Sequence, residues 1–457
     1  MYDVVIVGGG PGGYVAAIRG AQLGLSVALV EKDQVGGTCL NRGCIPTKAL
    51  AHTAEVMEAA KRGAELGLAI PEVGIDFARV MSRKDRVTAR LRGGVSLLLK
   101  RRKVDVVRGE GRLAGPGTVE ATSADGSSVR VEARNVLIAT GSEPVAPRIF
   151  GHDGVNVITS EEVLKLTSMP ASLLIIGAGV IGCEFASIFR SFGSEVTLVD
   201  IMPNILPMVD DDAAAAVRAS FQKRGIAIHT GAKITGVHVV DGMVEAATES
   251  GDVFRAERAV LSVGRRPFTG GVGAADVGIE LGRAGEIIVD SHMRTNVPGA
   301  WAIGDVTGKM QLAHVASAQG MVAAANIAGG NREMDYFAVP NCIFTSPEVA
   351  AVGVTERGAQ ESGIEHKIGK FPFVACGKAV AMGESEGFVK VIADAAGRVI
   401  GGTVVGPHAS DLIAEITLAV SRGLKLDDVA HTIHAHPTLA EAVCESAEDA
   451  LGMAIHI

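Results

Sequence analysis

Residues 4–13 read VVIVGGGPGG and residues 173–182 read LLIIGAGVIG. Each is an aliphatic run of strand length that breaks into three spaced glycines: Gly8, Gly10 and Gly13, then Gly177, Gly179 and Gly182. Alanine and leucine follow at helical spacing, to Leu25 in one copy and towards Gly193 in the other. A second aliphatic run then ends at an acid, Glu31 or Asp200. The interval from first glycine to acid is 31 minus 8 in one copy and 200 minus 177 in the other, 23 residues in both. Chance glycine clusters would not keep that register, so the chain carries two copies of one strand–turn–helix–strand unit. In such a unit the first glycine makes a tight turn and the second lets backbone N–H groups approach a pyrophosphate. The third lets helix and strand pack closely, and the acid accepts hydrogen bonds from ribose hydroxyls. The helix N-terminus presents its positive dipole end to the phosphates. Two bound dinucleotides are expected.

Working outward, strands over residues 136–139, 259–263 and 300–303 each run into a glycine: Thr140-Gly141, Gly264-Arg265-Arg266-Pro267 and Gly304-Asp305. They read as returns to the nucleotide sheets. Past about residue 340 the texture changes. Alternating stretches at 388–392 and 399–405 predict antiparallel strands, followed by helices over 410–422 and 438–451. The fold class is therefore α/β: two Rossmann-like dinucleotide-binding domains followed by a C-terminal α+β domain. The expected boundaries are 1–145, 146–267, a return to the first domain over 268–338, and 339–457.

Bulk composition narrows the function classes. A net charge of −8 with no long basic run argues against nucleic acid as a partner. The longest apolar run, residues 173–183, falls well short of the roughly 20 residues a membrane-spanning helix needs. The glycines that end the first apolar stretch are unlike a signal-peptide cleavage site. Six cysteines in 457 residues are too sparse for a disulfide framework, so a bond between any two points to catalysis in a reducing, cytoplasmic setting.

Two of those cysteines stand out. Residues 37–48 read GTCLNRGCIPTK, which places Cys39 and Cys44 directly after the first nucleotide unit. Helical periodicity over residues 45–66, with Pro46 suited to a first turn, puts Cys44 near a helix N-terminus, where the dipole favours a thiolate. Two unconnected core cysteines would be the bland alternative. Zinc is a weaker one, because no second cysteine pair completes a tetrahedral site, and no metal is expected. Near the C-terminus, His436 precedes Glu441 by five residues. An imidazole oriented by a carboxylate supplies base chemistry. His431 and His434 lack a matching ligand set and read as structural, Cys183 and Cys444 as small apolar packing residues.

Together the Gly8 fingerprint, the Gly-Gly-Thr-Cys-x4-Cys segment with Lys48, Ala139-Thr-Gly141, the second fingerprint, Gly304-Asp305 and His436-Pro-Thr-Leu-x-Glu441 resemble the pyridine nucleotide-disulfide oxidoreductase family over nearly the whole chain. Leu312-Ala-His314, Pro347-Glu-Val349 and Ile433-His-Ala-His-Pro-Thr-Leu439 are most similar to members that oxidise dihydrolipoyl groups. The resemblance implies one FAD per subunit on the first fingerprint and NAD+/NADH on the second, with Thr140, Gly141 and Gly264 at the cofactor edges. Asp305 would hold the flavin ribityl hydroxyls. It further implies a redox disulfide in which Cys39 exchanges with substrate and Cys44 faces the flavin, with Lys48 beside the flavin and paired to Glu184. By the same resemblance the C-terminal domain dimerises, and His436 with Glu441 completes the active site of the other subunit. The implied partner is a lipoyl-bearing protein of a 2-oxoacid dehydrogenase or glycine cleavage complex.

NAD is favoured over NADP because Asp200 repels a 2′-phosphate and residues 201–206 offer no arginine to bind one. Members of the implied branch commonly carry Glu at this place, and non-cysteine residues are expected at positions 342 and 376; no role is assigned to Cys342 or Cys376. A glutathione-type reductase would want arginines after the second strand, and a mercuric reductase a C-terminal cysteine pair. A flavoprotein acting mainly as a docking or redox-sensing subunit would tolerate loss of His436.

Overall fold

The two aliphatic runs become the central strands of two parallel sheets in the computed structural model, which describes all 457 residues. In the first sheet, strand Tyr2–Val7 lies between Val27–Glu31 and the far half of Ser128–Ile138, with Asp105–Arg108 and Ala300–Ala302 at the flanks of the parallel set. In the second, Ser172–Ile176 lies between Glu195–Asp200 and Arg258–Leu261, with Ala227–Thr230 and Val157–Thr159 outside them. The repeat read from sequence is a repeat of register: Val4 faces Val27 and Leu173 faces Val196, 27 minus 4 and 196 minus 173 residues on. These strands are covered on both faces, which is why they read as unbroken aliphatic runs.

Strand Ser128–Ile138 serves two sheets' worth of pairing. Its first half closes an antiparallel meander with Glu110–Gly115 and Thr118–Thr122, and its second half joins the parallel set. The C-terminal part is a five-stranded antiparallel sheet, in the order Asn341–Ile343, Glu348–Gly353, Val399–Gly406, Phe388–Asp394, His366–Pro372. Helices Ala409–Arg422 and Glu441–Ala450 pack on it, and Ile413, Ile416, Ala419 and Val420 lie in its core while Leu418 is exposed.

Several expectations need correction. The helix that follows Cys39 runs Cys44–Lys61, and a separate 3₁₀ turn occupies Gly63–Leu66. The C-terminal helix begins at Glu441 rather than at residue 438, so Pro437 and Thr438 sit in the loop before it. Strand Phe388–Asp394 does not alternate: residues 388–393 are all buried, because the sheet is covered on both sides. Features beyond the expected elements include the meander, a short helix Gly37–Arg42 that carries Cys39, and a 25-residue helix, Phe77–Arg101. That long helix starts where the Asp76 carboxylate accepts a hydrogen bond from the Arg79 N–H at 3.0 Å.

The packing that matters most for function joins the cysteine helix to the second fingerprint helix, Val180–Phe192. Leu50, Ala51 and Ala54 share one core with Phe185, Ile188, Phe189 and Phe192, and Phe77 lies across it with ring centroids 6.4 Å from Phe189 and 6.5 Å from Phe192. Aromatic pairs at such spacing add to the area they bury. The two nucleotide units are thereby locked face to face, with Cys44 and Lys48 at the seam.

Candidate active site: a cleft between two nucleotide loops

A continuous cleft of about 1570 Å³ runs from the first fingerprint, past the cysteines, to the second. Its glycines divide into two physical groups. A Cβ on Gly8 would stand 2.3 Å from the Ala139 carbonyl oxygen, and one on Gly13 1.9 Å from that of Gly8. In the second copy a Cβ on Gly177 would meet the Ser262 carbonyl oxygen at 2.4 Å, and one on Gly182 that of Gly177 at 1.9 Å. The first and third glycines are thus required by the protein's own backbone. The middle ones are not: a Cβ on Gly10 meets nothing closer than 3.9 Å, one on Gly179 nothing within 4 Å, and both residues have ordinary extended dihedrals. Each middle glycine opens into the cleft at the head of a helix, a cradle that a side chain would fill and that suits a pyrophosphate. The residues present therefore fit a dinucleotide at both places.

Glycine-to-alanine exchange separates these roles. Gly179→Ala is expected to keep the melting temperature of the parent while raising KM for the nicotinamide nucleotide about tenfold, a loss of about 1.4 kcal/mol in binding. Gly182→Ala, forced against a backbone oxygen, should lower thermal stability instead. Calorimetry and initial rates on the two proteins check this, and a Gly179→Ala protein with unchanged KM would remove the cradle argument.

The acids that end the second strands behave alike. Glu31 accepts hydrogen bonds from the Gly9 N–H (2.6 Å) and the Asp33 N–H (2.8 Å). Asp200 accepts from the Ala178 N–H and the Met202 N–H (2.7 Å). Both carboxylates line the cleft and at the same time brace the glycine turn.

At the middle of the cleft Cys39 and Cys44 stand near disulfide distance as thiols. Cys44 is the first residue of its helix, with Gly43 as N-cap. The hydrogen bond from Cys39 draws the Cys44 thiol down to about 7; burial opposes this, and the Lys48 ammonium assists it. The same sulfur–sulfur hydrogen bond, with burial, raises Cys39. One sulfur of the pair is thus poised as a thiolate and the other as its proton donor. Lys48, one turn on, hydrogen-bonds both carboxylate oxygens of Glu184 at 2.8 and 2.9 Å and lies over the Phe344 ring at 4.4 Å. Glu184, only 5 % exposed, also accepts from the Phe344 N–H at 3.0 Å, so this charge is paired and fully bonded.

Asp305 faces the cleft from the turn after strand Ala300–Ala302. Burial raises its pKa, while the Ser142 hydroxyl, donating at 2.5 Å, and nearby Arg265 pull the other way. Arg265 grips Ser142 in turn, Nε to its hydroxyl at 2.8 Å and Nη2 to its carbonyl at 2.7 Å. Thr140 donates to the Phe268 carbonyl at 2.7 Å, and the Val145 N–H donates to that of Gly264, fixing both glycine edges. Two contributors, Arg265 and Gln319, were not singled out from sequence. Buried Gln319 accepts from the Gly304 N–H at 2.6 Å and so orients the turn that presents Asp305. The quoted Gly264-Arg-Arg-Pro267 run marked the first; nothing local marks the second.

His436 is elsewhere. It does not line the cleft of its own chain, and its side chain is 78 % exposed. Its Nδ1–H donates to Glu441 at 2.8 Å, and the other Glu441 oxygen accepts from the Thr438 N–H at 2.8 Å. Burial opposes ionisation of Glu441, but these hydrogen bonds outweigh it and lower its pKa. With Nδ1 committed to a carboxylate, Nε2 is the outward-facing basic nitrogen. His434, by contrast, is half-buried, its ring paired with Glu415 at 2.8 Å.

Residues 2–320 match the model of the pyridine nucleotide-disulphide oxidoreductases, and residues 339–447 match that family's dimerisation domain. The chain belongs to this family: it is a flavoprotein oxidoreductase that uses FAD and NAD(H), with a C-terminal dimerisation domain. Among curated proteins, the dihydrolipoyl dehydrogenase of Chlamydia muridarum is 44% identical, covering 100% of this chain and 98% of its own length. The dihydrolipoyl dehydrogenase of Bacillus subtilis is 42% identical, covering 100% and 99%. Of solved structures, LpdA from Mycobacterium tuberculosis superposes with a TM-score of 0.93 at 31% identity, covering 97% of this chain and 98% of that one. The HOCl-induced flavoprotein disulfide reductase RclA from Escherichia coli superposes at 0.88 with 28% identity, covering 98% and 99%. No helix of the chain is long and apolar enough to cross a membrane.

Proposed function

We propose that the protein is a dihydrolipoyl dehydrogenase, oxidising protein-bound dihydrolipoamide to lipoamide with reduction of NAD+ to NADH. The observation that carries this reading is the cysteine pair at the head of a helix, beside the Lys48–Glu184 pair, in a cleft that joins two nucleotide cradles. Full-length relatives bearing that activity's name support it.

In the reaction, His436 of the partner subunit takes the proton of one lipoyl thiol at Nε2 while Glu441 stabilises the imidazolium. The lipoyl thiolate attacks Cys39 Sγ, the Cys39–Cys44 bond breaks, and Cys44 leaves as the thiolate favoured by its helix position and Lys48. The second lipoyl thiol attacks the lipoyl sulfur held on Cys39, and its proton passes to the departing Cys39 sulfur. Cyclic lipoamide departs and Cys39 is left reduced, so two electrons and two protons have left the substrate. Gly8, Gly10, Gly13, Glu31, Thr140, Gly141, Gly304 and Asp305 would hold FAD, which when bound would supply two-electron transfer between the cysteine pair and NAD+. Gly177, Gly179, Gly182, Asp200 and Gly264 hold the NAD+, and Asp200 rejects a 2′-phosphate by charge. Lys48, ion-paired with Glu184, keeps its ammonium fixed beside Cys44. The physiological donor is the lipoyl group of a 2-oxoacid dehydrogenase or glycine cleavage complex in the cytoplasm.

The test supplies purified protein with dihydrolipoamide and NAD+, and in parallel with glutathione disulfide and NADPH, following nicotinamide absorbance. Turnover is expected in the first mixture. Turnover confined to the second would overturn the assignment.

A further inference from the structure

Behind the second nucleotide cradle lies a charge cluster that the mechanism does not use. Lys390, 1 % exposed on strand Phe388–Asp394 of the C-terminal sheet, places its ammonium 3.0 Å from Asp210, 2.9 Å from Asp212 and 3.1 Å from Glu356. Asp210 is itself buried and also accepts from the Glu356 N–H at 2.9 Å and the Thr403 hydroxyl at 3.2 Å. Asp212 takes a second cation, Lys370, at 2.7 Å. Burying these charges is costly, and only mutual pairing with good hydrogen bonds offsets it.

Where the carboxylates sit gives the cluster its meaning. Asp210 is the N-cap of helix Asp211–Lys223, yet its side chain makes no capping hydrogen bond there. An N-cap aspartate ordinarily bonds its own helix; this one is turned outward to the C-terminal domain instead. It closes the loop of residues 201–209 that follows Asp200, and Ile201, Met202, Pro207 and Met208 of that loop wall the nucleotide cleft. The loop is bent sharply, with buried Leu206 in the left-handed region at φ +49 and its N–H donating to the Ala178 carbonyl at 2.9 Å. A branched residue holds that conformation only where its surroundings over-determine it. Arg357, also from the C-terminal domain, donates to the Pro207 carbonyl at 2.9 Å and pairs with Asp211 at 3.2 Å.

We propose that Lys390, with Asp210, Glu356 and Arg357, is a clamp by which the dimerisation domain sets the wall of the NAD site, making Lys390 a positioning residue for nucleotide affinity. It acts through the loop and touches neither substrate nor cofactor. The inference rests on the NAD reading of the second cradle.

The test compares Lys390→Met, Asp210→Asn and Arg357→Ala with the parent as purified holoenzymes. KM for NAD+ and the dissociation constant of NADH, from nucleotide fluorescence, should rise about tenfold in Lys390→Met and severalfold in the milder two. KM for dihydrolipoamide should stay within about twofold of the parent, since a remote wall contributes binding rather than chemistry. Should Lys390→Met fail to fold, Asp210→Asn keeps the side-chain shape and Arg357→Ala lies at the rim, so both still read the effect. Folded variants with unchanged NADH affinity, whatever their melting temperature, overturn the clamp. A parent enzyme inactive with dihydrolipoamide would instead overturn the proposed function and leave the NADH titration to judge the clamp alone.

Discussion

Cys44→Ser is expected to abolish dihydrolipoamide-dependent NAD+ reduction, by about three orders of magnitude or more, on the scale seen when a member of a catalytic unit is lost. Serine can neither form a disulfide with Cys39 nor exist as an anion near neutral pH, so both the electron-accepting and the poised state of the pair vanish. Cys39→Ser should fall as far, because the bond needs both sulfurs. NADH oxidation by a one-electron dye, which bypasses the pair, should survive in both proteins and shows that the fold and nucleotide sites are intact. The pH dependence has a definite sign. A thiol drawn down to about 7 is protonated and silent below that pH and ionised above it. The ultraviolet thiolate absorbance of the reduced parent minus that of Cys44→Ser should therefore rise through about pH 7. Lys48→Met removes the ammonium that assists ionisation, so the midpoint should move upward. Substantial lipoamide turnover by the serine variants would refute the central role of the pair.

Much of this architecture was legible because it is local and repeated. The equal intervals from Gly8 to Glu31 and from Gly177 to Asp200 fixed two parallel units, and Val4–Val27 and Leu173–Val196 pair in the same offset. The family resemblance paired Lys48 with Glu184, 136 residues apart; no local pattern connects them. Other parts escaped for physical reasons. Phe77, Met81, Lys84, Thr88, Val95 and Leu99 bury one stripe of the long helix, but two of those six are polar and the stripe lies among many arginines. The short helix carrying Cys39 has no buried residue at all and so no periodicity to read. Lys390 sits in FVKVIAD, where alternation implies one solvated face; its partners come from residues 210, 212 and 356, and only the assembled domains bring them there. Gln319 is similar: its task is set by a contact with Gly304, not by its neighbours in sequence.

His436→Gln should lower kcat for dihydrolipoamide oxidation by about 10²- to 10⁴-fold, the range for a lost general base, with dye-linked NADH oxidation unaffected. Glutamine fills much the same space and can hydrogen-bond Glu441, so folding and dimerisation should persist. Glu441→Gln leaves the imidazole present but removes the charge that steadies its protonated form, and a smaller loss follows. The more searching question is whose cleft the histidine serves. Within one chain His436 lies outside the cleft and its ring is largely exposed, which fits a base delivered across a dimer interface. That geometry makes complementation a decisive measurement. His436→Gln chains keep the cysteine pair and Cys44→Ser chains keep the base, so each homodimer is inactive. A mixed dimer assembles one site with a parental pair on one chain and a parental base on the other. Random pairing of equal amounts makes half the dimers mixed, each with one of two sites competent, so about a quarter of parental activity should return in an isologous dimer. A base acting in its own chain would restore none, because no chain in the mixture carries both groups.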